Sequence, residues 1–311
     1  MNEILSSKYY RRLFFSLLFI LLIVIFLTRL FVFKYFDSSL DISFLALVSL
    51  VFNGLISSFI VTVAIGSFIF FATPAIFKKS KMEVVSAKEI SILFRRSVVD
   101  TKSWIIKGAC GRFTRDNTLH AMVREAKIRS IGRSIRILLI DPNNERICSE
   151  YAIYRKSLSS ASKETVAPWS TKKVQEEAIS SILVALSVKN DEPILRVDIF
   201  LLNHFSAFRL DISDHHVIIT KEDRQATALR ADSGTYFYDS YIDEVSLHER
   251  QSKAIIPKSN VVINASTNKD MIEKYISDND IVNDPSILGS LDFESILSKV
   301  KKSLEGKLNA L

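Results

Sequence analysis

The chain has 311 residues, of which 48% are hydrophobic and 24% are charged, and its formal net charge is +7. With a mean hydropathy of +0.19, it is too apolar for an ordinary soluble protein and too charged for a wholly membrane-embedded one. Only 8 Gly, 6 Pro and 2 Cys are present, which excludes a collagen-like repeat and a disulfide scaffold. The apolar residues must therefore be unevenly distributed along the chain.

The first apolar run, Leu13 to Phe33, contains only three polar residues, Ser16, Thr28 and Arg29. At about 1.5 Å per residue, a helix of this length covers a hydrocarbon core of roughly 30 Å. No small-residue cleavage motif follows the run, so a cleaved signal peptide fits poorly. The sequence predicts a transmembrane helix near residues 13–33.

The second apolar run, Ile42 to Phe77, carries no charge, and we expect Pro74 to end its helix. A second transmembrane helix is predicted near residues 44–70. Small residues recur every four positions along one of its faces: Gly54, Ser58, Thr62 and Gly66. Such a ladder lets helix backbones approach closely. It predicts packing within the hairpin, association of several copies, or the lining of a water-filled path.

Basic residues flank the hairpin on one side of the membrane, whereas the connecting loop is mixed in charge. Lys8, Arg11 and Arg12 precede the first run, and three lysines follow the second. The positive-inside bias then predicts a multi-pass protein with both termini in the cytoplasm. In that compartment Cys110 and Cys148 are expected to be reduced thiols, and neither a metal site nor a cofactor is predicted.

The positive charge is concentrated in one block, residues 95–136, which holds 11 basic and 3 acidic residues. The block favours a phosphate-rich partner, which could be a nucleotide, a nucleic acid or lipid head groups. The alternative is an ordinary solvated helix face.

Apolar patterning predicts a βαβ unit, with strands over 103–110 and 134–140 and a helix over 118–131. Helices over 145–157 and 171–188 follow, then strands over 194–202, 208–212 and 216–220 and a helix over 241–254. The predicted fold is an N-terminal transmembrane α-hairpin plus a cytoplasmic α/β domain with a mixed sheet. The predicted domains are a membrane anchor (1–82), the α/β domain (83–257) and a C-terminal helical appendage (258–311).

Ligands gather at the carboxyl ends of parallel strands. Those ends provide Arg112 and Arg115 after the first strand of the unit and Asp141 after the second. Guanidinium groups beside a helix N-terminus favour phosphate. Arg155 is expected to point back toward Asp141, and Arg209 completes the candidate phosphate or nucleic-acid site. Neither a P-loop nor a Rossmann fingerprint is complete.

An enzyme would draw on the late strands, which hold His204, Arg209, Asp211, His215 and His216. Together with the βαβ unit, the segment 208–223 resembles one half of the phospholipase D fold, whose hydrolases carry HxKx4D. In this chain the next lysine, at position 221, follows the two adjacent histidines by six and five residues. The resemblance therefore implies a phosphate-binding cleft that has lost hydrolysis. Ordinary surface histidines are the alternative.

The hairpin, its basic flanks, and the segments LLIDP (138–142) and YAIYR (151–155) resemble the two-transmembrane effectors of bacterial retron anti-phage systems. The resemblance implies a location in the inner membrane and, as partners, a reverse transcriptase and its RNA–DNA product. It also implies membrane disruption and abortive infection after a phage trigger. Two other functions stay open: a membrane-anchored phospholipase D-like phosphodiesterase or nuclease, and a scaffold that tethers a nucleic-acid complex to the membrane.

Overall fold

The structure is a computed structural model. It describes residues 42–72, 80–158, 168–223 and 226–308, together with eight separate positions between 16 and 31. The chain forms two compact units, Met1–Lys78 and Lys79–Leu311, called here the N-terminal unit and the α/β unit. Most of the first predicted transmembrane helix, residues 13–33, lies outside the described residues.

Within the N-terminal unit, one helix, α1, extends from Ile42 to Ala72 over 31 residues. At about 1.5 Å per residue it is about 46 Å long. Among the described residues, its segment Leu50–Phe68 is the single helical stretch long and apolar enough to cross a membrane, and none of that stretch is buried. The second predicted membrane helix is thus observed as a helix, whereas a two-helix hairpin is not seen in the described residues.

The α/β unit is built on one mixed sheet of eight strands in the order β1-β7-β6-β5-β2-β3-β4-β8. Its strands are β1 (Glu83–Val85), β2 (Ser103–Lys107), β3 (Arg133–Ile140), β4 (Leu195–Leu202), β5 (Phe208–Ser213), β6 (His216–Lys221), β7 (Ala228–Asp232) and β8 (Lys253–Ala254). The central strands β2, β3 and β4 are parallel, and all the other pairs are antiparallel. The predicted parallel pair and antiparallel end are confirmed.

The helices follow the same chain order. They are α2 (Ala87–Asp100), a π-helical turn (Thr114–Thr118), α3 (Leu119–Arg129), α4 (Glu145–Ser157), α5 (Thr171–Asp191), α6 (Tyr236–Gln251), α7 (Lys269–Asp278), α8 (Pro285–Ser290) and α9 (Phe293–Leu308). The largest core cluster joins one face of the sheet to α2, α3, α5, α7 and α9. A smaller cluster on the other face packs under α6. Helices therefore cover both faces of the sheet.

The C-terminal segment corrects one prediction. Residues 258–311 were expected to form an appendage, yet α7, α8 and α9 place Ile272, Ile287 and Val300 in the main core. Buried polar contacts reinforce this packing, since Lys299 of α9 lies 3.1 Å from the carboxylate of Glu176 in α5. The segment is an integral layer of the α/β unit, because its apolar residues complete a core that the preceding helices leave open.

Candidate functional site

The small-residue face of α1 is open. A Cβ atom added at Gly54 or Gly66 would meet no described atom within 4 Å. Between these glycines, the Thr62 hydroxyl donates to the Ser58 carbonyl oxygen at 2.8 Å, so this polar group is satisfied within the helix itself. The face therefore carries only short side chains, and a second helix could approach it closely.

The basic block, residues 95–136, is largely occupied by internal contacts. Five of its side chains lie within 3.2 Å of a carboxylate: Lys107, Arg115, Lys127, Arg129 and Arg136. A sixth, Arg133, donates to the backbone carbonyl oxygens of Val98 and Val99. Most of the block therefore joins the elements of the α/β unit to one another and does not form a free positive surface.

The loop after β2 turns at Gly111, where the predicted anion site begins. This residue has φ 68°, and an added Cβ would lie 2.8 Å from Leu139 Cδ2. Glycine is required there both for the positive φ and for the close approach to β3. The turn carries Arg112 to the carboxyl edge of the parallel strands, as predicted.

At that edge the structure brings together Arg112 and Arg155 on one indole, that of Trp169. Their guanidinium carbons lie 4.8 and 4.7 Å from the ring centroid, and the Lys173 ammonium lies at 5.1 Å. Trp169 is 2% exposed, directly before the N-cap of α5. Cation–π contacts of this kind are strongest where water is excluded. Sequence reasoning missed Trp169 and Lys173, although a Pro-Trp pair just before a helix marks a residue that packs against the helix start.

Arg155 does not reach Asp141. Its Nη1 donates to a carboxylate oxygen of Glu222 at 2.8 Å and to the carbonyl oxygen of the same residue at 2.9 Å. Asp141 instead accepts hydrogen bonds at Oδ1 from the backbone N–H and side-chain amide of Asn143. Asp141 therefore stabilises the turn after β3, and the expected Arg155–Asp141 approach is wrong, because a carboxylate from the end of β6 takes its place.

Arg115, the second predicted arginine, lies apart from this edge cluster. It is 5% exposed, and its guanidinium contacts Glu177 at 2.9 Å and Asp116 at 2.8 Å. These carboxylates outweigh the effect of burial and raise the pKa of Arg115. Removal of one partner from a buried ion pair of this kind strongly destabilises the fold, because the other charge is left buried without its partner. Arg115 therefore holds the π-helical turn to α5.

Arg209 also lies elsewhere. Its guanidinium is 2.7 Å from Asp211 and lies over the rings of Phe94 and Phe113, at 5.5 and 4.9 Å. Asp211 is fully buried, which raises its pKa, and the charge and hydrogen bond of Arg209 act in the opposite direction. The pair lies within the sheet face that packs against α2.

The late histidines do not converge on one centre. His215 is exposed on the β5–β6 turn, whereas His216 is 6% exposed. The Nε2 atom of His216 lies 2.6 Å from the Ser97 hydroxyl, which itself donates to the Leu93 carbonyl oxygen. Burial lowers the pKa of His216 to about 4. This ring therefore joins β6 to α2 in its neutral form.

His204 belongs to a third cluster, under α6. Its ring lies 4.6 Å from that of His248, beside the buried ammonium of Lys107, which lies 2.7 Å from Glu244. Burial first and the Lys107 charge second lower the pKa of both histidines. Among the described residues no group of three or more His, Cys, Asp or Glu side chains is placed to hold a metal ion.

Both cysteines are buried. Burial raises the pKa of Cys148 to about 12 and that of Cys110 well above its ordinary value. Thiolates are the reactive form of cysteine, so both side chains behave as small core residues.

These features define the class of the protein: an α/β unit with a mixed eight-stranded sheet, in the same chain as an uncovered apolar helix. No family model and no curated protein matches the chain. Among solved structures, it is similar to TrmBL2, an archaeal chromatin protein described as showing a novel mode of DNA binding. The identity is 11%, 68% of each chain is covered and the TM-score is 0.31. A similarity at this TM-score carries no argument about fold or function.

Proposed function

We propose that the protein is a membrane effector of a bacterial antiviral defence system, which disrupts inner-membrane integrity and so causes abortive infection. The observation that carries the proposal is α1, whose segment Leu50–Phe68 is apolar and wholly uncovered. Exposing a contiguous apolar surface of this size to water is energetically unfavourable, so we expect a bilayer or a second protein to cover it. The resemblance to retron effectors supplies the setting, with a reverse transcriptase and its RNA–DNA product as partners.

The finer architecture of the proposal is a membrane hairpin. Residues 13–33 would form the first crossing and α1 the second, with both termini in the cytoplasm. Support comes from the sequence, in which Lys8, Arg11 and Arg12 precede the first run and Lys78, Lys79 and Lys81 follow the second.

In the proposed mechanism, the α/β unit controls association of the membrane helices. Its first helix, α2, begins only 15 residues after α1 ends, at Ala87 against Ala72. A partner or ligand that binds two arrangements of the α/β unit with different affinity shifts the population between them. In the active arrangement, helices of different copies would meet along the open Gly54 to Gly66 face.

The test is dye uptake and growth in bacteria that express the chain alone, with its neighbouring genes, and after phage challenge. Wild type is expected to admit the dye in at least one of these conditions. The double variant Gly54→Leu/Gly66→Leu is expected to remain in the membrane but to lose dye uptake, because two isobutyl groups prevent close helix approach. Leucine is also the better helix former, so insertion is expected to persist.

The control is Ala64→Leu, which also introduces a leucine, adding three carbon atoms where each Gly→Leu change adds four, about 160° around the helix from Gly66. It is expected to behave as wild type. Intact membranes for wild type in every condition would contradict the proposal. Equal loss of dye uptake in the control and the double variant would contradict the assignment of the contact face.

A further inference from the structure

A cavity of about 470 Å³ lies between α2 and the start of α3, apart from the cluster at Trp169. Its size falls in the range of small-molecule sites. On α2 the lining residues Ser91, Phe94, Arg95 and Val98 are spaced three and four apart, so they share one helical face. The opposite wall comes from the π-helical turn and α3. π-Helical segments are rare and occur frequently at functional sites.

The cavity has an aromatic wall. The rings of Phe94 and Phe113 lie 5.3 Å apart at an angle of 53°. Phe94 is 7% exposed and fixed in the core, whereas Phe113 keeps 39% of its surface exposed. Arg209 packs over both rings and is held by the buried Asp211. An exposed phenyl ring held in this way is a stacking platform for a flat aromatic group.

The cavity also has two cations that internal contacts leave available. Arg95 is exposed and has no ion pair with any described residue. Among the described residues, the one ion pair of Arg124 is with its chain neighbour Glu125, at 3.7 Å, which is longer than a charge-assisted hydrogen bond. The single acid of the lining, Asp116, is already paired with Arg115. These two arginines therefore differ from the six basic side chains of the block that internal contacts occupy.

We propose that this cavity binds a nucleotide, with the base against Phe113 and the phosphate between Arg95 and Arg124. Each guanidinium group can donate to two phosphate oxygens. A terminal phosphate has three free oxygens and up to two charges for the two arginines, whereas a carboxylate has two oxygens and one charge. The exposed side chains of Ser91 and Asn117 line the same cavity and make no hydrogen bond with other described groups. They are available to the base edge or the ribose.

The floor of the cavity gives the ligand a route into the rest of the unit. His120 lines the cavity, and its Nε2 lies 3.3 Å from the Ser303 hydroxyl of α9, which donates to the Arg115 carbonyl oxygen at 3.0 Å. The nucleotide site would therefore contact α2, α3 and, through one side chain, the C-terminal helix. The inference extends the proposed function by giving the α/β unit a ligand.

The experiment is titration calorimetry on the full chain in detergent micelles, with AMP, GMP, CMP and UMP as probes. The nucleoside of each nucleotide and inorganic phosphate serve as half-ligands. At least one nucleotide is expected to bind at least tenfold more tightly than either half. Arg95→Gln and Arg124→Gln are each expected to weaken binding about tenfold, as for loss of one charge-assisted hydrogen bond. Phe113→Leu is expected to weaken binding of the nucleotide and of its nucleoside alike.

Arg96→Gln is the matched control, because it removes an adjacent exposed arginine of α2 that does not line the cavity. It is expected to retain wild-type affinity. The last measurement uses a single-stranded oligonucleotide of four residues. If it binds more tightly than the mononucleotide, the ligand is the end of a nucleic-acid strand; if it binds more weakly, the ligand is a free nucleotide.

Three results would overturn the inference: no saturable binding of any nucleotide at millimolar concentration, equal affinity for the nucleotide that binds most tightly and its nucleoside, or equal weakening by Arg95→Gln and Arg96→Gln. Failure here can be told apart from failure of the membrane proposal. The Gly54→Leu/Gly66→Leu variant is expected to bind nucleotide as wild type does, because its substitutions lie in the N-terminal unit.

Discussion

The buried imidazole of His216 makes the stability of the α/β unit depend on pH in a defined window. Burial, together with the Arg230 charge, lowers its pKa from the ordinary value of 6.5 to about 4. Nearby Asp232 acts in the opposite direction, and His215 acts in the same direction as Arg230. At a pH between these two pKa values, the His216 imidazole is protonated in the unfolded chain and neutral in the folded chain.

The magnitude follows from the linkage between proton binding and folding. At about 1.4 kcal/mol per pKa unit, the gap between 6.5 and about 4 corresponds to about 3 kcal/mol. Because the folded pKa is the lower one, this contribution is fully present above pH 6.5 and is lost as the pH falls toward 4. The variant His216→Gln, which cannot titrate, is expected to lack this part of the pH dependence.

The assay is urea unfolding of the full chain in detergent micelles at several pH values between 7.5 and 4. The two tryptophans, Trp104 and Trp169, are buried in the α/β unit, so their fluorescence reports that unit alone. The difference in unfolding free energy between wild type and His216→Gln should shrink by about 3 kcal/mol across the window. The comparison variant His215→Gln should keep most of this pH dependence, because the His215 charge is the smallest of the influences on the pKa of His216. A difference that stays constant with pH, or an imidazole NMR signal of His216 that titrates near 6.5, would refute the reasoning.

Two further predictions concern packing. Glu177→Gln should lower the free energy of unfolding by about 3 kcal/mol, because it removes a carboxylate from the buried Arg115. The control Arg146→Gln, which breaks an exposed pair with Glu150, should lower it by less than about 0.5 kcal/mol. Similar small losses for both variants in urea titrations would show that the buried pair is not structural. Gly111→Ala should destabilise the unit more than Gly234→Ala does, since both glycines have positive φ but only Gly111 faces a neighbouring side chain within 3 Å; equal losses would contradict the steric argument.

The central part of the fold was predictable because its strands are continuous apolar runs. The strand Ser134 to Ile140 was predicted within one residue of the observed β3, Arg133–Ile140, and the predicted helix 145–157 matches α4. The edge strands were missed because β1 has three residues and β8 two, which is too short for any alternating pattern. The helix α7 was missed although Ile272, Tyr275 and Ile276 are spaced as one helical face, because its segment is polar on average, and α8 was missed because it has only six residues.

In the candidate site, too, local sequence patterns predicted some features and tertiary contacts decided the others. Arg112 was placed correctly because a strand end fixes its location. The partner of Arg115 is 62 residues away in sequence, and no local pattern reveals such a pairing. The basic block could be counted from the sequence, but which of its arginines are internally paired depends on carboxylates supplied by α5 and α6. Arg95 and Arg124 line one cavity from two different helices, α2 and α3, and the sequence does not show that these helices face each other.

The two outer strands of the sheet have a consequence for self-assembly. One edge ends in β1, which pairs through three residues, and the other ends in β8, which pairs through two. Edges this short offer few free backbone groups to a second sheet, and natural proteins use this device to prevent edge-to-edge aggregation. Short edges of this kind disfavour a filament built by extending the sheets, so the assembly proposed above would rely on contacts between helices. Its size would then be set by how many α1 helices fit side by side.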